Sequence, residues 1–431
     1  MASSPTTDTA AGGGKVLIYS INFSPELTGV GRYTGEIATY LAANGDEVSA
    51  VTTPPHYPGW AVKAPFANGY SHHVEDGVKV WRAPLLLRRE MRSIWRLLAP
   101  LTFVLSSAPV MLWRALRDRP AVVLAIEPTL LAAPVGLLAA KLAGARAVLH
   151  VQDLEIDAAF GVGHLSGAGL QKLAFAMERR LLSGFDHIVT ISNSMRDRLV
   201  DKGVQPSRLS IVRNWVDMEK IRPMPGPNGF RAELGLGDDA FVALYSGNIG
   251  VKQALPVMLD AAERLVDQSN LTFVIAGDGP EKNKLVERYG ALPNVRFLPL
   301  QPEARLCELL NLADIHLLPQ LANTADLVLP SKLGGILASG KPVLATVDEG
   351  SELYGFLSGY GVLTPAGDVD AATAALRDLA NGRGPKDLGN GRELAKRLDA
   401  RFNLADFRAR LFGRKVEDAP ARNEAPVAAD A

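Results

Sequence analysis

The chain has 431 residues, with 46 lysine and arginine residues balanced by 46 aspartate and glutamate residues, and a single cysteine. This length predicts two domains, because one domain usually spans about 100–200 residues. The zero formal net charge disfavours a nucleic-acid-binding protein, and a single cysteine excludes an intrachain disulfide and fits a reducing compartment.

The N-terminal half predicts a parallel α/β domain. A strand is predicted over residues 15–22, a helix over residues 33–43 and a second strand over residues 47–53. This strand–helix–strand order is typical of a right-handed βαβ unit. Further β-branched runs predict strands over residues 78–82, 121–126, 147–152, 187–191 and 209–212.

Arginine and tryptophan residues flank an apolar run within residues 85–119. The run, Leu97 to Trp113, is 17 residues long and contains two prolines. A spanning helix needs about 20 apolar residues, so we expect no membrane span. The composition fits peripheral contact with an anionic membrane. Two buried helices with solvated arginine ends fit it equally well.

A proline- and glycine-rich stretch, residues 222–230, predicts the end of an interdomain linker, after which the α/β pattern restarts. Strands are predicted over residues 241–247, 271–277, 295–297, 315–318 and 342–346, and a last helix over residues 391–414. We therefore expect two doubly wound, Rossmann-like domains, over residues 15–220 and 221–414. The tails, residues 1–14 and 415–431, are predicted to be disordered.

Two glycine loops that follow strands are candidate phosphate sites. In SPELTGVGRYTGE, Gly29 and Gly31 precede a helix and Arg32 adds a cation; in YSGNIGVKQAL, Gly247 is followed by Lys252 at a helix start. Backbone amides at a helix N-terminus favour an anion. The alternatives are an ordinary βα turn that needs glycine for positive φ and a solvated lysine in a first helical turn.

The segment LPSKLGGILASGKPV predicts a loop that leads into a helix. Ser331 or a neighbour would cap this helix, and Lys332 would lie in its first turn. A cation there is opposed by the helix dipole, and a bound anion would compensate. Lys332 is therefore a candidate phosphate ligand, with a lysine in a flexible loop as the alternative.

A DxD sequence, Asp368-Val369-Asp370, resembles the metal-binding motif of some transferases. It precedes an alanine-rich helix, so we interpret its carboxylates as turn or N-cap groups. Neither HExxH nor paired cysteine and histidine spacing occurs in the sequence. We therefore predict no metal site.

Taken in order, SPELTGVGRYTGE, LHVQDLEID, YSGNIGVKQ, VIAGDGP, LPSKLGGILASGKPV and GVLTPAGD resemble glycosyltransferase family 4, and more closely its colanic-acid-type exopolysaccharide members. The resemblance implies a GT-B fold, with two Rossmann-like domains facing across a cleft. It also implies a nucleotide sugar bound by the C-terminal domain, an acceptor on the N-terminal side, retention of anomeric configuration, and no required cofactor or metal.

The resemblance also assigns residues. Lys252 matches the diphosphate-binding lysine, Gly31 the glycine whose backbone meets the phosphates, and Gln152-Asp153 a strand end where many members carry His-Asp. Two departures affect the donor site. Asn248 replaces the usual arginine, and Gly335 replaces the second of two glutamates that are expected to hold ribose hydroxyls; the first falls near Asp326 or Leu327.

Together these arguments give three candidate sets. The catalytic set is Asp153, Lys252 and Lys332; the donor-binding set is Gly29, Gly31, Gly247, Asn248, Lys252, Ser331, Lys332 and Asp326; the acceptor-side set is Arg32, His150, Gln152 and Glu155. His150 belongs to the last set because, on a continuing strand, it would face the same side as Gln152.

The sequence thus predicts a cytoplasmic, metal-independent, retaining glycosyltransferase. It would move a hexose, such as fucose, from a nucleotide sugar to a lipid-linked oligosaccharide or similar acceptor, on the inner face of the plasma membrane. A nucleotide-sugar 2-epimerase of the same fold is one alternative, although no acid–base carboxylate pair is evident. A non-catalytic nucleotide-sugar-binding subunit is a second, given Gly335. The incomplete dinucleotide fingerprint disfavours a dehydrogenase.

Overall fold

A computed structural model describes residues 13–26, 29–57, 59–62, 64–88, 94–157, 168–237, 239–321, 329–385 and 387–414. Residues 1–12 and 415–431 of the two predicted tails lie outside the described residues, as does Asp326. The described chain forms two compact units. The first comprises the residues up to Ile191, Met195–Val212 and the residues from Leu404 onward; the second comprises Ser192–Ser194 and Arg213–Asn403.

The first unit is built on an eight-stranded sheet with the order β3-β4-β2-β1-β5-β6-β7-β8. Its strands are β1 Lys15–Tyr19, β2 Glu47–Thr52, β3 Ser71–Glu75, β4 Val78–Arg82, β5 Val122–Glu127, β6 Arg146–Val151, β7 His187–Thr190 and β8 Leu209–Ile211. All neighbours are parallel except β3 and β4. Every predicted strand of this half is confirmed to within a few residues. The edge strand β3 was not predicted, because its sequence SHHVE is polar and exposed.

The helices of this half follow the strands in alternation. They are α1 Gly29–Ala43, α2 Ile94–Asp118, α3 Ala133–Ala143, α4 Ala168–Leu182 and α5 Asn193–Asp201. Helix α1 begins at Gly29, four residues before the predicted start at residue 33. The glycines of the first loop therefore lie within the first turn of a helix.

The second unit contains a six-stranded, wholly parallel sheet with the order β11-β10-β9-β12-β13-β14. Its strands are β9 Phe241–Asn248, β10 Leu271–Asp278, β11 Val295–Leu298, β12 Ile315–Pro319, β13 Val343–Thr346 and β14 Val362–Thr364. Its helices are α6 Gly229–Glu233, α7 Leu255–Arg264, α8 Lys282–Tyr289, α9 Leu306–Leu312, α10 Leu333–Ala338, α11 Glu352–Leu357 and α12 Val369–Ala380. The five strands predicted here are confirmed, and β14 was missed.

Helix α2 is one continuous helix of 25 residues, with Pro100 and Pro109 inside it. The alternative of two buried helices in this segment is therefore wrong, because its described part is a single helix. One side of α2 is buried on the sheet, where the Ser107 hydroxyl lies 2.7 Å from the hydroxyl of Tyr19. Among the described residues, one helix, Leu98–Asp118, is long and apolar enough to cross a membrane by length and composition alone, and 33% of its most apolar window is buried.

The last predicted helix, over residues 391–414, is interrupted. The structure has α13 Gly391–Ala395, a 3-10 turn at Lys396–Leu398 and α14 Ala400–Leu411. Asp399 between them is extended and buried, pairs with Val216 in a parallel bridge and accepts a hydrogen bond from the Arg401 amide at 2.9 Å. The carboxylate thus starts a new helix instead of continuing the old one.

Candidate functional site

The centre of the candidate donor site is the end of β9. Gly247 has a φ of +144°, a conformation that residues with a Cβ rarely adopt. A Cβ at this position would lie 3.3 Å from Cε and Nζ of Lys332. The structure therefore brings two candidate donor-binding segments of the second unit, the YSGN loop and Lys332 of the PSK segment, into direct contact.

Lys332 rests on Tyr245. Its Nζ donates a hydrogen bond of 2.6 Å to the Tyr245 hydroxyl and lies 4.0 Å from the centre of the ring. The Tyr245 hydroxyl in turn donates to the Asn248 carbonyl. Burial lowers the pKa of Lys332 to about 7 and raises that of Tyr245. The ammonium thus lies in a poorly solvated position with no carboxylate bonded to it among the described residues, an arrangement that suits an incoming anion.

The local helix geometry differs from expectation. Ser331 is exposed and does not cap α10; Lys332 itself occupies the N-cap position, with no side-chain cap. The amides of the first turn of α10 therefore have no side-chain acceptor at the N-cap, and the Leu333 amide donates to the Pro330 carbonyl at 2.9 Å. The lysine side chain extends back to Tyr245 and is not part of a flexible loop.

Lys252 lies in a 3-10 turn, Val251–Gln253, and not at the start of a helix; α7 begins only at Leu255. The Gly250 amide donates to the Gln253 side chain at 3.1 Å, which orders the turn. Lys252 is exposed, and within the described ranges no hydrogen bond or ion pair engages its ammonium. Asn248, at the start of this loop, is exposed as well.

Gly335 lies on α10, where the family pattern places a glutamate. A Cβ there would lie 3.2 Å from Cδ1 of Leu310. An apolar side chain therefore lies close beside this backbone, and a larger residue at position 335 would require Leu310 to shift.

In the first unit, the glycine loop is organised by a buried carboxylate that the sequence did not single out. Glu26 accepts hydrogen bonds from the amides of His56 and Tyr57, at 3.0 Å each, and from Nδ2 of Asn22 at 2.9 Å. A Cβ on Gly31 would lie 2.3 Å from Glu26 Oε2. A side chain at position 31 would therefore overlap the Glu26 carboxylate, which explains the glycine there by packing.

His56 lies in the loop after β2 and is buried. Its Nδ1 lies 3.1 Å from both the Thr53 hydroxyl and the Pro54 carbonyl, and burial lowers its pKa. Gly29 has a φ of +65°, so it also serves the turn. Arg32 is bonded to Glu36 at 2.7 Å on the same helix.

The strand ends of β5 and β6 bring together several carboxyl groups. Glu155 accepts a hydrogen bond of 2.6 Å from the Leu130 amide, and Asp153 one of 2.9 Å from the Leu154 amide. Glu127, at the end of β5, is buried; burial and then the charge of Glu155 hold its pKa well above the usual range. Burial is also the first cause of the raised pKa of Glu155; the Leu130 amide lowers this pKa and the charge of Asp153 raises it.

His150 does not join this group. It is fully buried within β6 and packs against the Phe407 ring of α14, at 4.8 Å between ring centres. Burial lowers its pKa to about 3. It offers no surface to an acceptor; Gln152, just beyond the strand, is buried as well, whereas Asp153 is exposed. The reason is that the strand ends at Val151, so the expected alternation does not continue.

The interpretation of the DxD carboxylates as turn or N-cap groups is confirmed for Asp368 as the N-cap. Asp368 is the N-cap of α12 and accepts a hydrogen bond of 2.9 Å from the Ala371 amide. Asp370 pairs with Arg264. In the portions of the chain that the structure describes, no group of three or more histidine, cysteine, aspartate or glutamate side chains is arranged to hold a metal ion.

Tyr245→Phe tests the lysine–tyrosine contact. It removes the hydroxyl that accepts a hydrogen bond from the Lys332 ammonium, so the charged form loses stabilisation and the pKa should fall by about one unit. An NMR titration of labelled lysine side chains measures this shift. Tyr289→Phe, which removes a buried hydroxyl bonded to Asp260 at 2.6 Å in the same unit, is the matched control and should leave Lys332 unchanged. An unchanged pKa in Tyr245→Phe would contradict the contact.

Gly31→Ala tests the packing of the first loop. Its methyl group overlaps the Glu26 carboxylate, so the free energy of unfolding should fall by about 1–3 kcal/mol, as overpacking usually costs. Gly59→Ala, where a Cβ meets nothing within 4 Å, should change stability by at most about 0.5 kcal/mol. Denaturant unfolding measures the free energy of unfolding of both variants. Equal values for the two would show that the loop accommodates the added methyl group, which would contradict the prediction.

Comparison with known proteins agrees with this architecture. A family model described as "Glycosyl transferase 4-like domain" matches residues 28–215, and one described as "Glycosyl transferases group 1" matches residues 240–381. The chain is 39% identical to "Putative colanic acid biosynthesis glycosyl transferase WcaI" of Escherichia coli (strain K12), over 91% of this chain and 98% of that protein. A D-inositol 3-phosphate glycosyltransferase of Streptomyces avermitilis is 27% identical over 47% of this chain and 46% of its own length.

Solved structures show the same fold at low sequence identity. Sucrose-phosphate synthase from Thermosynechococcus elongatus has a TM-score of 0.69 and 16% identity, covering 91% of this chain and 97% of that one. HepE from Anabaena, in complex with UDP and glucose, has a TM-score of 0.65 and 16% identity, covering 93% and 100%. With its two parallel Rossmann-like sheets and these relatives, the chain belongs to glycosyltransferase family 4 and has the GT-B fold.

Proposed function

We propose that this glycosyltransferase moves a hexose from a nucleotide sugar to a lipid-linked oligosaccharide or similar acceptor in the synthesis of an exopolysaccharide such as colanic acid. The observation that carries the donor part is the Lys332 ammonium on Tyr245, beside the Gly247 backbone at the carboxyl end of β9. Ligands of doubly wound sheets bind at that edge. The name of the relative WcaI supports the pathway, and the UDP-glucose complex of HepE supports the donor class.

Charge neutralisation explains how such a site would act. Glycosyl transfer passes through an oxocarbenium-like transition state, in which the departing diphosphate gains negative charge. A preorganised cation stabilises that charge at little reorganisation cost. We assign this work to Lys332, which is already positioned, and to Lys252, whose exposed ammonium is engaged by no partner among the described residues. With these cations the reaction would need no metal ion, and the family resemblance supports retention of anomeric configuration.

We further propose that the first unit holds the acceptor. The candidates are Arg32 on α1 and the strand-end residues Gln152, Asp153 and Glu155, the last of which is fixed by its bond to the Leu130 amide. Carboxyl and amide groups of this kind suit the hydroxyl groups of a sugar, because they donate and accept hydrogen bonds. The cytoplasm is the expected compartment, since a chain with one cysteine needs no oxidising environment.

A donor screen tests this proposal. GDP, UDP, ADP and dTDP sugars would be titrated by calorimetry in the presence of EDTA, followed by turnover assays with a lipid-linked acceptor. Lys332→Met and Lys252→Met should each weaken donor binding or turnover at least about tenfold, as expected for removal of a charged hydrogen bond. Lys220→Met, which removes an exposed lysine of the same unit, is the control.

Three results would contradict the proposal in different ways. Full activity in both lysine variants would show that Lys332 and Lys252 do not form the donor site. Conversion of the donor to its epimer without acceptor would indicate a 2-epimerase. Donor binding with no turnover on any acceptor would indicate a non-catalytic subunit, which the glycine at position 335 makes worth testing.

Donor affinity should also depend on pH. An ordinary lysine has a pKa of 10.5 and stays charged, but burial lowers that of Lys332 to about 7. The free protein therefore carries the binding cation below pH 7 and loses it as the pH rises through 7. We expect the affinity to fall by about tenfold per pH unit above this point, with proton uptake on binding. Calorimetry in buffers of different ionisation enthalpy measures the uptake, which Lys332→Met should abolish.

A further inference from the structure

Two aromatic side chains reach the surface from the loop that follows β2. Tyr57 is 44% exposed, and Trp60 is partly exposed. Their ring centres lie 6.4 Å apart and the ring planes meet at 80°, so the rings form two sides of a corner. We call Tyr57 and Trp60 the aromatic corner. Single exposed aromatic residues are normal on a protein surface, but two rings at this angle offer a shaped apolar contact.

Buried groups fix the loop that carries the aromatic corner. Glu26 accepts hydrogen bonds of 3.0 Å from the backbone amides of His56 and Tyr57. The buried His56 ring supports Trp60, with 5.7 Å between the ring centres. The Ala61 amide donates to the His56 carbonyl at 3.3 Å, which closes the turn. The two rings are therefore preorganised, and this lowers the entropy cost of binding a ligand to them.

The backbone at Trp60 is strained. Its φ is +53°, in the left-handed region that bulky side chains rarely adopt. Glycine would adopt this conformation without the steric cost, so the turn alone does not call for a tryptophan. Conformations of this kind persist where the surroundings hold them, and they cluster at sites that clamp a ligand. The strain thus indicates that the indole ring itself has a use at this position.

The aromatic corner lies at the carboxyl edge of the first sheet. Strand β2 ends at Thr52, and its parallel neighbour β1 leads into the glycine loop. A Cβ on Gly29, the first residue of α1, would lie 3.6 Å from Cε1 of Tyr57, so this ring contacts the start of the helix. Ligands of doubly wound sheets bind beyond the carboxyl ends of the strands. The corner is therefore placed where the first unit would hold its ligand.

The composition of the loop favours an uncharged ligand. No lysine, arginine, aspartate or glutamate occurs between Glu47 and Lys63. The Glu26 carboxylate that anchors the loop is already bonded to backbone amides. An aromatic face carries partial negative charge and attracts C–H groups, which line the flat side of a pyranose ring. A sugar with one face free of axial hydroxyl groups fits the corner, since that face can lie on one ring while its rim contacts the other.

We propose that the aromatic corner is the subsite for the terminal sugar of the acceptor, and that this sugar is a hexopyranose with one C–H face, such as a β-glucoside or a β-galactoside. The inference rests on the proposed function, in which the first unit holds the acceptor. Tyr57 and Trp60 fix the plane of the acceptor ring by stacking. They determine which acceptor binds, whereas the two lysines of the second unit act on the departing diphosphate.

Saturation-transfer NMR tests the subsite without a donor, using the full chain with methyl β-D-glucopyranoside and methyl β-D-galactopyranoside. We expect the strongest transfer to the C–H protons of one sugar face. Tyr57→Leu and Trp60→Leu, which keep an apolar side chain but lose the ring, should each weaken binding about five- to tenfold. Tyr57→Phe keeps the ring and should bind at least about threefold more tightly than Tyr57→Leu. Phe402→Leu, which changes an exposed aromatic residue of the second unit, is the control and should bind like the unmodified chain.

Turnover of a lipid-linked acceptor gives a second readout. In Tyr57→Leu and Trp60→Leu the loss should appear as a rise in the acceptor KM of the same size, and not as a fall in kcat, because stacking is present in both the bound and the reacting state. Donor affinity, measured by calorimetry with UDP and GDP sugars, should match that of the unmodified chain. Thermal unfolding confirms that each variant is folded.

Two results would overturn the subsite. One is an absence of transfer to both glycosides from the unmodified chain, or equal binding by all the variants. The other is a weaker affinity for UDP or GDP in Trp60→Leu, which would show that the corner stacks a nucleotide base. The proposed function can fail separately. A chain that turns over no lipid-linked acceptor, but still binds the glycosides through these two rings, would contradict the proposed function and support the subsite.

Discussion

The candidate donor site depends on a lysine that is held against a tyrosine instead of a carboxylate. An ammonium bonded to a carboxylate would already be neutralised, whereas the Lys332 ammonium, bonded to the Tyr245 hydroxyl and lying over its ring, keeps its charge available at some cost in solvation. Gly247 leaves space for this contact, because a Cβ there would lie 3.3 Å from Cε and Nζ of Lys332. One close approach thus links the loop after β9, the start of α10 and the pKa of the cation.

In the first unit, the buried ionisable group beside the glycine loop already has its partners. The Glu26 carboxylate accepts hydrogen bonds from two backbone amides and an asparagine side chain, so its role is structural. This carboxylate fixes the geometry of the glycine loop and the start of α1. At the ends of β5 and β6, by contrast, Glu127 and Glu155 are buried with raised pKa values, because burial disfavours their charged forms. Carboxyl groups whose charged forms are disfavoured suit neutral hydroxyl ligands better than cations.

The sequence by itself determined the architecture. Strand and helix patterns alternate along the chain, with a proline-rich break between two halves. This order predicts two parallel sheets, because each crossover has one favoured hand. The PSK and YSGN segments could be recognised because glycine and lysine after a buried strand have a direct physical use at an anion site. The missed strands β3 and β14 are short, and β3 is also polar at a sheet edge, so neither carries a strong apolar pattern.

Tertiary packing decided how those residues are used. Lys332 could point to solvent or to Tyr245, which is 87 positions away in the chain. The position of α10 relative to β9 decides between the two, and no local sequence pattern encodes that position. The same holds for His150, which α14 covers with Phe407, and for Glu26, whose partners lie on a distant loop. Helix α2 remains continuous through two prolines because its inner side packs on the sheet. Local sequence sets which elements form, and the long-range contacts between them set the environment and therefore the chemistry of each side chain.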